Sequence, residues 1–175
     1  MSEKKFLLHV CCAPCAAGCI DLLREAGLAV TFYFSNSNLN TAVEYARRLD
    51  AVRTLAQAEN LPLLTDDYNH AAWLERTAGR AHEPEGGLRC RQCFAFALER
   101  AAGAAAAFDY PNFATSLTVS PHKNSALIFE LGAEYERFMP LNFKKKDGFL
   151  NGIRRAKALN LYRQNYCGCE FSVRS

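Results

Sequence analysis

The sequence predicts an α/β fold, an open and mostly parallel sheet flanked by helices, with a metal site at the carboxyl ends of its strands. Two observations predict the sheet. Short runs of β-branched, aromatic and aliphatic residues alternate with longer stretches whose apolar residues recur at helical spacing, as parallel strands joined by helical crossovers require. The strand candidates are continuously apolar rather than alternating, the mark of strands covered on both faces. A third observation places the site: cysteines follow the first strand directly, and in a Rossmann-like sheet ligands occupy the crevice beyond the strand carboxyl ends. The 175 residues, half hydrophobic and 22% charged, suit a single catalytic domain over 1–175 whose last part, 137–175, is basic.

Taken in order, Lys5 to Val10 is a short apolar strand, followed from Pro14 to Glu25 by an Ala-rich helix. Pro14 suits a first helical turn and Gly27 a C-terminal cap. Ala29 to Phe34 is a second strand and Asn36 to Asn40 a polar loop. Thr41 to Asn60 carries Val43, Ala46, Leu49, Val52, Leu55 and Ala56 at helical spacing, with Pro62 just beyond. Leu61 to Thr65 is a third strand. Asn69 to Thr77 is a short helix around Trp73, and the Gly- and Pro-containing stretch Ala78 to Gly87 is an active-site loop. Leu88 to Phe108 is a long helix that opens on Cys90 and Cys93. Asn112 to Thr118 is a strand, His122 to Leu131 a helix, Tyr135 to Leu141 an extended piece and Phe149 to Leu159 a last helix. By this reading Cys11 and Cys12 face the same crevice as Thr115 to Ser120.

No apolar run approaches the roughly 18 residues of a membrane span, and the start of the chain has no long apolar export region or cleavage site. The expectation is a cytoplasmic protein with no membrane partner. The net charge of +3 is uneven, −4 over Met1 to Glu136 and +7 over Arg137 to Ser175. Such a segment suits a polyanion, because each neutralised phosphate releases condensed counterions, although a solvated helix face has the same composition. A nucleotide site is disfavoured, since cysteines and a proline stand where a Gly-rich phosphate loop would follow the first strand.

Eight cysteines fall in three clusters, and in a cytosolic chain such clusters are metal ligands or redox groups more often than structural disulfides. Cys90-Arg-Gln-Cys93 is a C-x-x-C at a helix start. Joined by Cys11 and Cys12, it makes a tetrathiolate set fit for zinc or an iron-sulfur cluster. The adjacent pair Cys11-Cys12 is poor zinc-knuckle spacing and argues for a larger metal unit. Cys12-Ala-Pro-Cys15 is a second C-x-x-C, so Cys15 competes as a ligand or binds a second metal, whereas Cys19 reads as a core thiol. Cys167-Gly168-Cys169 permits a small strained disulfide of the labile, catalytic kind; two further metal ligands or two inert thiols remain alternatives.

LLHVCCAPC (Leu7 to Cys15), EPEGGLRCRQCF (Glu83 to Phe94), TSLTVSPHKN (Thr115 to Asn124), FKKKDGF (Phe143 to Phe149) and LYRQNYCGC (Leu161 to Cys169) together resemble the cobalamin-independent epoxyqueuosine reductases, the QueH family, across nearly the whole chain. The resemblance implies a cytosolic iron-sulfur oxidoreductase of tRNA processing that performs the last step of queuosine biosynthesis, reducing epoxyqueuosine in the anticodon to queuosine. It implies a 4Fe-4S cluster on Cys11, Cys12, Cys90 and Cys93, no cobalamin, and a redox-active disulfide of Cys167 and Cys169. An added mononuclear iron or a ligand role for Cys15 stays open. Partners are a queuosine-family tRNA and a low-potential electron donor. The chain departs from the family at the loop Phe34 to Asn38 and at Asn142, where a carboxylate is usual.

Around this chemistry, Thr115, Ser116, Ser120, Lys123, Asn124, Tyr162 and Tyr166 are candidates for holding substrate, although helix capping is an alternative for Ser120 and Asn124. Tyr162, Tyr166, His122 and Lys123 are candidate proton donors. Lys144, Lys145, Lys146, Arg154, Arg155, Lys157 and Arg163 form the candidate tRNA surface, with Tyr162 and Tyr166 as rings on which an unstacked base can lie. Two rival functions are a zinc-stabilised tRNA-binding module and a thiol-disulfide oxidoreductase.

Overall fold

The computed structural model describes residues 3–173. Strands β1 (Lys4–Val10), β2 (Leu28–Phe34), β3 (Leu63–Thr65) and β4 (Phe113–Thr115) form one wholly parallel sheet in the order β3-β2-β1-β4. Leu8 pairs with Phe32 on one side of β1 and with Ala114 on the other. The chain thus winds outward through β2 and β3, then returns across β1 to add β4. That reversal opens a crevice at the carboxyl ends of β1 and β4.

β1 is central, and its two-residue period divides its side chains between two cores. Phe6, Leu8 and Val10 pack with α1 (Ala13–Ala17), α2 (Ile20–Glu25) and α3 (Ala42–Ala58), all three fully buried. Leu7 faces the other way, into Phe94, Leu98 and Ile128 of α5 (Leu88–Ala107) and α6 (Ser125–Gly132). Helix α4 (His70–Arg76) lies against α5, and α7 (Gly148–Ala158) crosses α1. Complete burial of each such aliphatic or aromatic side chain contributes about 1.5–3 kcal/mol.

Several boundaries differ from the sequence reading. The expected helix from Pro14 to Glu25 is two helices, because the chain tightens at Gly18, whose amide bonds both Pro14 and Cys15 carbonyls at 3.2 and 3.1 Å. Here α7 comes so close that a Cβ on Gly18 would lie 2.3 Å from the Gly148 carbonyl oxygen, and one on Gly152 would lie 2.2 Å from that of Pro14. The expected strand Asn112 to Thr118 is a three-residue strand followed by a 3-10 turn at Ser116–Val119, begun by the Thr115 side chain accepting from the Leu117 amide. The helix expected from His122 starts at Ser125, because Asn124 caps it by accepting from the Leu127 amide at 3.2 Å. The extended piece expected over Tyr135 to Leu141 reaches the sheet through an isolated bridge, Phe138 to Phe113.

Candidate active site

Strand β1 delivers Cys11 and Cys12 to the switch point, and Pro14 starts α1 directly behind them, returning Cys15 to the same place. The sulfurs of Cys11, Cys12 and Cys15 lie within 4.8 Å of one another. Cys11 donates to Cys12 across 4.0 Å. The trio shares its protons unequally. Hydrogen bonding to Cys11 and Cys15 holds Cys12 well below the ordinary thiol value, the charged form being the one these contacts favour. Cys11, bonded to Cys12, is pushed up to about 12, and Cys15 is raised by its contacts with both. Cys19 is fully buried in the core, where desolvation raises its thiol.

These sulfurs line a cavity of about 270 Å³ whose walls also carry His9, Asn36, Arg48, Cys93, Lys123 and Cys167. Cys93 and Cys167 thus join the trio from α5 and from the C-terminal segment. Burial pushes the thiols of both upward. Cys90 sits one turn before Cys93 on α5, and its sulfur accepts the Gly86 amide at 3.2 Å. Lys123 is enclosed among the sulfurs. Burial alone would lower its ammonium, but the fields of Cys167, Cys11, Cys15 and Cys12 raise it overall, so it stays charged.

Cys167 and Cys169 are both free thiols. Their segment is held by α3, a feature absent from the sequence reading. Arg48 is only 3% exposed, and its guanidinium pairs with Glu44 one turn away at 2.8 Å. It donates to the carbonyls of Cys167 and Tyr166 at 2.6 and 3.2 Å and lies over the Tyr166 ring. Removing one member of such a buried pair costs about 3–5 kcal/mol, because the other charge is left uncompensated. The signal was present in the sequence: Glu44 and Arg48 continue the stripe of Val52 and Leu55 on the buried side of α3. The tail beyond is pinned by His70, whose ring nitrogens meet Ser37 O and Glu170 Oε2 at 2.8 and 2.9 Å.

The remaining sequence-predicted residues divide. Ser120, Lys123 and Tyr166 line the cavity, with His122. Ser116 is fully buried behind it, accepting from the Cys11 amide at 3.0 Å and meeting the Cys11 sulfur at 3.2 Å. Thr115 is also interior, bonded to His9 Nδ1 at 2.9 Å, while His9 Nε2 meets Ser35 O at 2.9 Å. His9, a further residue missed from sequence, thereby ties together the ends of β1, β2 and β4. Asn124 is the helix cap described above. Tyr162 points away to the Glu44 carboxylate, at 2.9 and 3.0 Å. In the altered loop, Asn36 lines the cavity and its amide donates to Val10 O at 2.8 Å; Asn142 accepts from the Lys144 amide.

Of the basic residues, Arg163 lines the cavity. Lys145, Lys146, Arg154 and Lys157 are exposed. Two are not free cations of the surface. Lys144 bonds Lys123 O at 3.0 Å and the Ser125 hydroxyl, so it braces the loop that carries Lys123. Arg155 is partly buried and pairs with Asp21 at 2.9 Å and Glu59 at 3.3 Å.

With this geometry in view, the comparisons decide the family. The family model described as epoxyqueuosine reductase QueH matches residues 6–175. The chain belongs to the epoxyqueuosine reductase QueH family. Proteins bearing that name from Streptococcus pyogenes, Acinetobacter baylyi and Thermotoga maritima are 34%, 34% and 35% identical to it. The alignments cover 96%, 97% and 95% of this chain and 70%, 81% and 89% of the relatives. As an oxidoreductase of the QueH family it carries a cluster of thiols, Cys11, Cys12 and Cys15, that could hold a metal. The donor set is chemically apt for an iron-sulfur group: three sulfurs within 4.8 Å of one another, Cys93 and Cys167 on the same walls, and the partly buried Lys123 ammonium to offset thiolate charge. Among the described residues no helix is long and apolar enough to cross a membrane.

Proposed function

We propose that this chain is a cytoplasmic epoxyqueuosine reductase that acts on tRNA, converting the epoxide of anticodon epoxyqueuosine to the alkene of queuosine. The reaction consumes two electrons and two protons and releases water. The observation that carries this reading is the meeting of Cys11, Cys12, Cys15, Cys93 and Cys167 with Lys123 in one cavity at the sheet's switch point. Cys11, Cys12, Cys90 and Cys93 would hold a 4Fe-4S cluster, with Cys15 the neighbouring thiol for an additional iron. Bound there, the iron-sulfur group supplies electrons one at a time, drawn from a low-potential donor, and an electrophilic iron.

The chain's own groups do the rest. Lys123 balances the charge of ionised sulfur and holds a proton at its Nζ beside the reacting carbon-oxygen bond. Ser120, Asn36 and Tyr166 offer hydrogen bonds to the substrate's hydroxyls. Cys167 and Cys169 serve as the redox-active dithiol. The exposed cations Lys145, Lys146 and Arg154, with Arg163 at the cavity, receive the anticodon phosphates.

Anaerobic reconstitution with iron and sulfide, followed by nucleoside mass spectrometry of epoxyqueuosine-containing tRNA, tests the reading. Cys12→Ser and Cys93→Ser are expected to lose both bound iron and turnover, and Cys19→Ala to keep both. Retention of iron and activity in the first two variants refutes the ligand assignment. A colourless protein with stoichiometric zinc refutes the redox function.

A further inference from the structure

Resting on that function, the geometry points to Arg48 as the positioning residue for the C-terminal dithiol, orienting it so that Cys167 faces the cavity and Cys169 stands behind. The two cysteines are not equivalent. Cys167 lines the cavity and is partly exposed, whereas Cys169 is 6% exposed and absent from the wall. With Cys167 on the wall and Cys169 behind it, the pair straddles the boundary between cavity and core.

Backbone polar groups around the pair have partners that enforce this arrangement. Arg48 takes the carbonyls of Tyr166 and Cys167 with two nitrogens of one planar guanidinium. The Asn40 amide donates to Gly168 O at 3.0 Å. Ser172 Oγ accepts the Gly168 amide at 3.2 Å and donates to Cys169 O at 2.8 Å. Between the thiols, Gly168 has φ +127, and a Cβ there would meet Leu39 Cδ2 at 2.3 Å and Arg48 Nη1 at 2.9 Å. The guanidinium, with Glu44 as its counter-charge and Tyr162 as a further donor to that carboxylate, is the common wall against which the turn is set.

A role limited to charge balance for Glu44 would be filled by lysine. Holding two successive carbonyls needs the rigid fork of arginine, which an ammonium lacks. Arg48→Lys therefore separates the two. The reconstituted protein, reduced anaerobically, is treated with iodoacetamide and alkylation is resolved by site with mass spectrometry. Wild type is expected to modify Cys167 at least ten times faster than Cys169. In Arg48→Lys, with its circular dichroism unchanged, the contrast is expected to fall below threefold and kcat to drop more than tenfold while KM for tRNA stays within threefold. Gly168→Ala, which crowds Leu39 and the same guanidinium, is the second variant and is expected to give the same pattern. Wild-type contrast and kcat retained in either folded variant overturn the proposal. Alkylation needs no substrate, so the two readings fail separately: a wild-type protein that never turns over epoxyqueuosine refutes the function, and one that alkylates both cysteines equally refutes the orientation.

Discussion

Asp66 follows β3 and gathers charge-assisted bonds from the end of β2 and from α5. Its carboxylate accepts from the Ser35 hydroxyl at 2.7 Å and from Arg100 Nε of α5 at 2.8 Å. Burial pushes its pKa up, but the bonds from Arg100 and Ser35 outweigh this and leave it below the ordinary value. A group depressed by folding contributes stability above its unfolded pKa and loses that contribution as pH falls through the folded value. The wild-type advantage over Asp66→Asn in urea denaturation is therefore expected to be present at pH 7 and to shrink below about pH 4, near the usual aspartate value; a constant difference down to pH 2 would contradict it. At this scale the cysteine chemistry was readable from residue type and spacing. Thr115 and Ser116 were read as ligand-facing hydroxyls, yet their bonds are spent on His9 and Cys11 inside the protein, which no local pattern encodes.

At the scale of elements, the glycines of α7 and α5 make opposite demands. Gly152 is the point where α7 meets α1, with 2.2 Å from its ideal Cβ to Pro14 O. Backbone cannot retreat as a flexible side chain can, so Gly152→Ala is expected to destabilise by about 1–3 kcal/mol, the usual cost of overpacking. Because α1 carries Cys15, it should also lower iron occupancy. Gly103, inside α5, has nothing within 4 Å of its ideal Cβ. Gly103→Ala is expected to stabilise by roughly 0.4–1 kcal/mol by restricting the unfolded chain. Thermal and chemical denaturation of the two variants checks both signs. The same crossing explains why one predicted helix became α1 and α2: composition marks Pro14 to Glu25 as helical throughout, and only the approach of α7 requires the break at Gly18.

The whole molecule sorts the basic segment that charge counting treated as uniform. Lys145, Lys146 and Arg154 are exposed, and the Lys146 pair with Glu25 at 2.9 Å is a surface contact of small worth. Replacing these three with Ala is expected to weaken tRNA binding and to reduce the magnitude of the log-log salt slope by roughly 0.7–0.9 for each phosphate that is no longer neutralised. Arg155→Ala, which breaks the pairs to Asp21 and Glu59, should lower stability and leave the slope nearly unchanged; the reverse pattern in filter binding across salt would refute the division. What the sequence by itself determined was the alternation of strands and helices, the buried character of β1 and β2, the parallel sheet, and the arrival of two cysteines at the strand's carboxyl end. These follow from short-range periodicity and from a topological rule that needs only element order. Tertiary structure decided which partners meet: Lys123 among the sulfurs, Arg48 on Cys167, Lys144 on the loop of Lys123, Arg155 on Asp21. Most of those contacts join residues a hundred or more positions apart, and their partners are selected by how the helices pack on the sheet, a quantity that no local spacing contains.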